Sequence, residues 1–143
     1  MSELDEFFGE GFEDKMKRIR RTPRFSLTEE RLKEIAKLVK EKMTPENPAL
    51  HYQLENHEYH VILVQAPRVI RTKQLQYSIA VGLLYAGGWV SATMTETQVE
   101  KLEPNKWYIA IGRMKQNVRS GRLFYNFRTD EIIPLEELKK HVE

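Results

Sequence analysis

The chain has 143 residues, 41% of them apolar and 31% charged, with a formal net charge of +2 and no cysteine. That length and apolar content fit one domain with an extension, and the lack of cysteine excludes a disulfide framework or a thiolate metal site. No apolar run is long enough for a transmembrane helix, and the acidic N-terminus lacks the basic-then-apolar order of a signal peptide, so a cytoplasmic protein with no membrane contact is expected.

The small net charge hides a block pattern. Residues 1–14 hold six acids and no base, and residues 15–24 hold six bases and no acid. Like charges in blocks repel and leave little to bury, so 1–24 is expected to be a flexible charged tail. Phe7, Phe8 and Phe12 stand among those acids. Aromatics in such a setting suit a segment that orders on a protein partner, or one that folds back on its own domain.

The first regular element is a helix over 26–43. Ser26 and Glu29 fit a capping box, and Leu32, Ile35, Ala36, Val39 and Met43 fall on one stripe. Thr44-Pro45 ends it, because the residue before proline avoids the helical region. The stripe must dock on the domain or on a second copy of the chain, which would make helix 26–43 a homo-oligomer contact. Residues 45–58, with Pro45, Pro48 and Asn56, read as a loop that opens a domain spanning 45–143.

Five strands follow. The first, 59–72, is interrupted by Pro67, which marks an edge or a bulge. Strands over 77–85 and 89–95 flank a Gly87-Gly88 turn, and a short helix over 96–102 comes next. Strands over 107–115 and 123–129 then surround a basic turn, with a closing helix over 135–142. This order, five strands with one helix between the third and fourth, is that of the OB-fold, a small partly open barrel that binds oligonucleotides or oligosaccharides. The fold class is mainly β with flanking helices (α+β), a five-stranded OB-like barrel preceded by an N-terminal helix. The alternative is an open antiparallel sheet backed by helix 26–43, with a cleft that grips single strands.

Alternation assigns the faces. Val90, Ala92 and Met94, like Leu123, Tyr125 and Phe127, suit a core. That leaves Trp89, Phe124, Asn126 and Arg128 outside, with Tyr108 a further candidate and Trp107 read as core. Ala80 and Gly82 form a small-residue stripe that a flat base can approach closely. Residues 60–128 carry ten bases and three acids. Arg68, Arg71, Lys73, Arg113, Lys115, Arg119, Arg122 and Arg128 are placed to line a groove. Flat aromatic faces beside a cationic groove are what binding of a single strand requires.

The stretch LEPNKWYIAIGRMKQNVRSGRLFYNFRTDEII, with the elements around it, resembles replication protein A-type and other archaeal single-strand-binding OB domains. In those, a turn after the helix leads into a strand of the form G-x-x-Y-x-x-x-G-x-x; here the corresponding run is Pro104 to Tyr108 through Gly112 and Arg113. The resemblance covers about residues 58–133. The glycine expected after the helix is Asn105, which tolerates a left-handed turn, and the zinc-ribbon cysteines of some large subunits are absent. Membership would imply non-enzymatic binding of single-stranded DNA, with aromatics of the second, third and fifth strands stacking on bases; RNA is the alternative ligand.

Signals for catalysis are weak. No phosphate loop or dinucleotide fingerprint occurs, and no G-x-S-x-G elbow. His51, His57 and His60 precede or open the first strand but lack completing ligands, so no metal and no cofactor is expected. Asp130 and Glu131, adjacent on one strand, point to opposite faces and read as solvated rather than as a catalytic pair. A third reading, a protein-interaction subunit of a larger nucleic-acid-processing complex, stays open beside DNA and RNA binding.

Overall fold

In a computed structural model the structure describes residues 22–142. The tail assignment for residues 1–21 lies outside that range. Thr22 to Phe25 belong to the domain, since Arg24 Nη2 donates to the Thr129 carbonyl (3.3 Å) and the Phe25 amide to Asp130 Oδ2 (2.9 Å).

The elements in chain order are helix α1 (Glu29–Lys42), strands β1 (Ala49–Leu54), β2 (His57–Gln65), β3 (Thr72–Gln74), β4 (Ile79–Tyr85) and β5 (Gly88–Met94), helix α2 (Glu96–Glu100), strands β6 (Trp107–Arg119) and β7 (Arg122–Pro134), helix α3 (Leu135–Lys139), and a 3₁₀ turn (Lys140–Val142). The stripe on α1 is present, but its N-cap is Thr28, whose side chain accepts from the Arg31 amide, and not Ser26. Segment 45–58 is not all loop. Its Ala49–Leu54 part forms a hairpin with β2, paired from Ala49–Ile62 to Leu54–His57.

Among the described residues seven strands form one sheet in the order β1-β2-β6-β7-β5-β4-β3, and a further pairing of Gln65 with Leu84 joins β2 to β4. Strands β2, β6, β7, β5 and β4 thereby make a ring of hydrogen bonds. α2 lies between β5 and β6 in sequence, and β5 runs parallel to β7 from Val90–Tyr125 to Thr93–Arg128. A wholly antiparallel open sheet is ruled out by that parallel pair and by the closing Gln65–Leu84 pair.

Alternation then creates two cores. Inside the ring, Ile62, Val64, Val81, Leu83, Val90, Ala92, Met94, Tyr108, Ala110 and Phe127 pack together. On the outer side of β1, β2 and β6, the stripe Ile35, Ala36 and Val39 of α1 and Leu138 of α3 cover Leu50, Tyr59, Val61, Ile109 and Ile111. Of the two docking partners expected for the helix 26–43 stripe, the chain's own domain is the one observed.

Turn chemistry fixes the hairpins. Ala86 (φ 49°) and Gly87 (φ 79°) are both left-handed between the paired Tyr85 and Gly88, so the turn sits one residue earlier than Gly87-Gly88. Two left-handed central residues match the right-handed twist of the flanking strands. Ser120 (φ 51°) and Gly121 (φ 75°) do the same between Arg119 and Arg122. This tight turn lets β6 and β7 run 13 residues each, well past the ends read from sequence. Asn105 takes the left-handed conformation (φ 64°) that the missing glycine would have supplied.

Candidate nucleic-acid interface

The hairpin β6–β7 carries the site. Residues directly opposite in an antiparallel pair share a face, and the register sets Arg113 against Arg128, Lys115 against Asn126, Asn117 against Phe124, and Arg119 against Arg122. All eight lie on the face turned away from the ring's interior, because the alternate residues Met114 and Phe127 pack inside it. The face continues across the sheet: Ser91 lies beside Asn126 and Thr93 beside Arg128. Gly82 opposes Ser91, Ala80 opposes Thr93, and Leu84 opposes Trp89. Lys73 of β3 opposes Ala80, and the Gly82 amide donates to the Arg71 carbonyl.

The result is a floor of small side chains (Ala80, Gly82, Ser91, Thr93) with cations on two sides. Lys73 and Arg71 stand at the β3 end, and Lys115, Arg119 and Arg122 at the hairpin end. Trp89 is 44% exposed and Phe124 half-buried, both on this face. Arg68 is exposed in the loop between β2 and β3. Arg113 is half-buried and its Nη1 donates to the Glu58 carbonyl of β2, which turns its guanidinium toward the β2 side of the hairpin.

Three predicted contact residues are placed differently. Tyr108 is 1% exposed and lies inside the ring, its hydroxyl accepting from the Glu103 amide (2.8 Å) and donating to the Lys101 carbonyl (3.3 Å). Both parities of β6 are buried, and the packing of Tyr108 and Ala110 against Ile62, Leu83 and Phe127 makes theirs the inner one. Arg128 is on the expected face but 2% exposed. Its guanidinium pairs with Asp130 (2.8 Å) and donates to the Thr22 and Pro23 carbonyls, so it holds the entering chain instead of meeting solvent. Asn126 is likewise on the face but only 4% exposed. Asp130 is also buried, not solvated as its sequence position suggested. It falls at a bulge: Ile111 pairs with Glu131 and Gly112 with Thr129, leaving Asp130 the extra residue. Burial raises the pKa of the half-buried Glu131 carboxyl above its ordinary value, partly offset by Arg24.

Two further aromatics are exposed, outside the predicted set. Tyr77, read as strand, sits in the turn before β4 and is 81% exposed, at the rim on the β3 side. The signal was its place between Gln76 and Ser78, in a turn closed by the Leu75 amide donating to the Ser78 carbonyl. Trp107, read as core, is 46% exposed. It borders an apolar groove with Leu63, Leu84, Leu135 and Pro45, which meets the candidate face at Leu84.

The His51 and His60 rings lie side by side, with centroids 4.8 Å apart. His51 Nδ1 meets Glu58 Oε1 at 2.5 Å, and His60 Nδ1 accepts from the Met114 amide (3.2 Å). Burial, with help from His51 and Arg113, lowers the His60 pKa to about 4. Among the described residues no three His, Cys, Asp or Glu side chains are grouped to hold a metal ion, and no helix is long and apolar enough to cross a membrane. In comparisons with known proteins, no protein-family model matches the chain and no curated protein matches it.

Proposed function

We propose that this chain is an OB-type domain that binds single-stranded nucleic acid without catalysis, DNA first and RNA as the alternative. The ring β2-β4-β5-β7-β6, with α2 between its third and fourth strands in sequence, has the OB element order. In that architecture the face of the second and third strands and two flanking loops form the binding surface. Here those are β4 and β5, the loop through β3, and the β6–β7 hairpin. The observation that carries the reading is Trp89 and Phe124 sharing one sheet face with Lys115, Arg119 and Arg122. Stacking on the two rings and neutralisation of phosphates by the cations would act together on a single strand, whereas a duplex offers no open base faces.

The test is tryptophan fluorescence of a Trp107→Phe variant, titrated with single-stranded DNA, single-stranded RNA and duplex DNA at two salt concentrations. Only Trp89 then reports. Salt-sensitive quenching by single strands, with duplex much weaker, supports the reading and ranks DNA against RNA. The expected log–log salt slope is about −0.7 per phosphate neutralised. Absence of binding to all three ligands sinks it. A second reading, a protein-interaction subunit, is favoured by the exposed Trp107 beside its apolar groove. It predicts that Trp107, and not Trp89, changes on binding a partner.

A further inference from the structure

The candidate face has an unusual property for an open ligand surface. Ser91, Thr93 and Asn126 are each 5% exposed or less, and Ala80 is fully buried. The chain itself enters at the edge of this region, between Arg128 and the core under α1 that holds Phe25 and Tyr59. Thr22 and Pro23 lie on Arg128, the neighbour of Thr93 on β5, and the Pro23 carbonyl also accepts from the Tyr59 hydroxyl (2.8 Å). Twenty-one residues precede Thr22, and their first 14 hold six acids, no base and three phenylalanines.

We propose that the acidic segment 2–14 is an intramolecular occupant of this face and competes there with nucleic acid. The inference rests on the proposed function for its consequence, though the docking is measurable without it. Three observations favour this occupant. The described chain begins at Arg128, on the border of the face, so the segment is tethered near it. Its charge is opposite to that of Arg71, Lys73, Lys115, Arg119 and Arg122. Its phenylalanines are flat rings of the kind that Trp89 and Phe124 would otherwise take from bases. Carboxylates and rings together imitate the phosphates and bases of a single strand. A short tether gives an effective concentration on the order of millimolar. If the free segment bound at about 0.1 mM, the tether would weaken apparent nucleic-acid affinity about tenfold.

The experiment uses the full chain with Glu3, Asp5, Glu6, Glu10, Glu13 and Asp14 changed to Gln or Asn. A control chain carries the same number of acid-to-amide changes at Glu29, Glu30, Glu41, Glu46, Glu136 and Glu137, away from the face. Affinity for a single-stranded oligonucleotide is measured by anisotropy at low salt. Separately, a synthetic peptide of residues 2–14 is titrated into the neutralised chain, in the Trp107→Phe background, with Trp89 fluorescence as readout. The expected result is roughly tenfold tighter DNA binding for the neutralised chain only. The peptide should perturb Trp89 in a salt-sensitive way and displace DNA. Equal tightening in the control would reduce the effect to net charge and overturn the proposal, as would a peptide that leaves Trp89 unchanged. If no chain binds nucleic acid but the peptide still docks at Trp89, the proposed function fails while the occupancy stands.

Discussion

Asp130 offers the sharpest test of how the site is built. Its carboxylate is buried and holds the Arg128 guanidinium at 2.8 Å and the Phe25 amide at 2.9 Å. Arg128 in turn fixes the Thr22 and Pro23 carbonyls. Changing Asp130 to Asn keeps the shape and removes the charge. A guanidinium that is 2% exposed then loses its carboxylate partner. Breaking a buried ion pair from one side costs about 3–5 kcal/mol. Phe25 and Arg128 donate to the same oxygen, Oδ2, which the amide can still present to both, and this places the expectation near the lower end, about 3 kcal/mol. At about 2–4 °C per kcal/mol for a chain of this size, the melting temperature should fall by roughly 6–12 °C. The assay is thermal and urea unfolding of wild type, of Asp130→Asn, of Arg128→Met, and of a double variant combining Arg128→Met with Asp130→Leu. The double variant should recover much of the loss, because apolar replacement of a buried pair is often near neutral. A cost below about 1 kcal/mol for Asp130→Asn, or a double variant worse than the sum of the two singles, would refute the argument that the pair is desolvated and mutually dependent.

Other expectations are shorter to state. A Cβ at Gly112 would stand 1.7 Å from the Arg128 carbonyl oxygen, across the bulge in β7; Gly112→Ala should therefore cost about 2–3 kcal/mol or more in urea unfolding, while Gly88→Ala, with its nearest atom at 3.9 Å, costs far less. His60 has its folded pKa lowered from 6.5 to about 4, so the unfolded chain binds the extra proton between those values. Its contribution is full above pH 6.5 and fades as pH falls to about 4. Since the ring is partly solvated, that loss should be about 1–2 kcal/mol, and His60→Asn should flatten this part of the stability–pH curve. Phe124→Ala should weaken single-strand binding by about 1–3 kcal/mol with the salt slope unchanged, whereas Lys115→Gln should lower the slope, both read from anisotropy titrations at several salt concentrations.

The order of elements was legible because strand and helix periods differ and the turn residues are distinctive. Ser120-Gly121 and Asn105 announce left-handed backbone, and Thr95 with Gln98 caps α2 as a box. What misled the reading was burial from two sides. Ile109 and Ile111 of β6 face α1, and Tyr108 and Ala110 face the ring's interior, so alternation of polar and apolar residues disappears and parity becomes ambiguous. β1 was hidden because Ala49–Leu54 (ALHYQL) is short and follows Pro45 and Pro48, although Leu50, Tyr52 and Leu54 alternate with His51 and Gln53 as a strand requires. Arg128 and Asp130 show a different limit. A charged residue on an outer face reads as solvent-exposed, and only the path of residues 22–25, distant in sequence by about a hundred positions, reveals that it is covered. The cationic rim needed no such knowledge: the lysine and arginines of β6 and the hairpin turn fall at strand spacing and share a face by register alone.

Because β6 is the wall between the two cores, the helical layer and the strand ring cannot melt independently. Removing α1 would open Ile109 and Ile111 to water while Tyr108 and Ala110 on the same backbone still anchored the interior. A fragment limited to residues 58–133 would thus carry a long greasy strip and should aggregate. Amide exchange ought to find one cooperative unit, with the slowest protons along β6 and the fastest at the Ser120-Gly121 tip. The inner half of that hairpin is walled in on both faces, while Arg119 and Arg122 stand exposed on its outer arm, so one pair of strands joins the most protected backbone of the described chain to its most open.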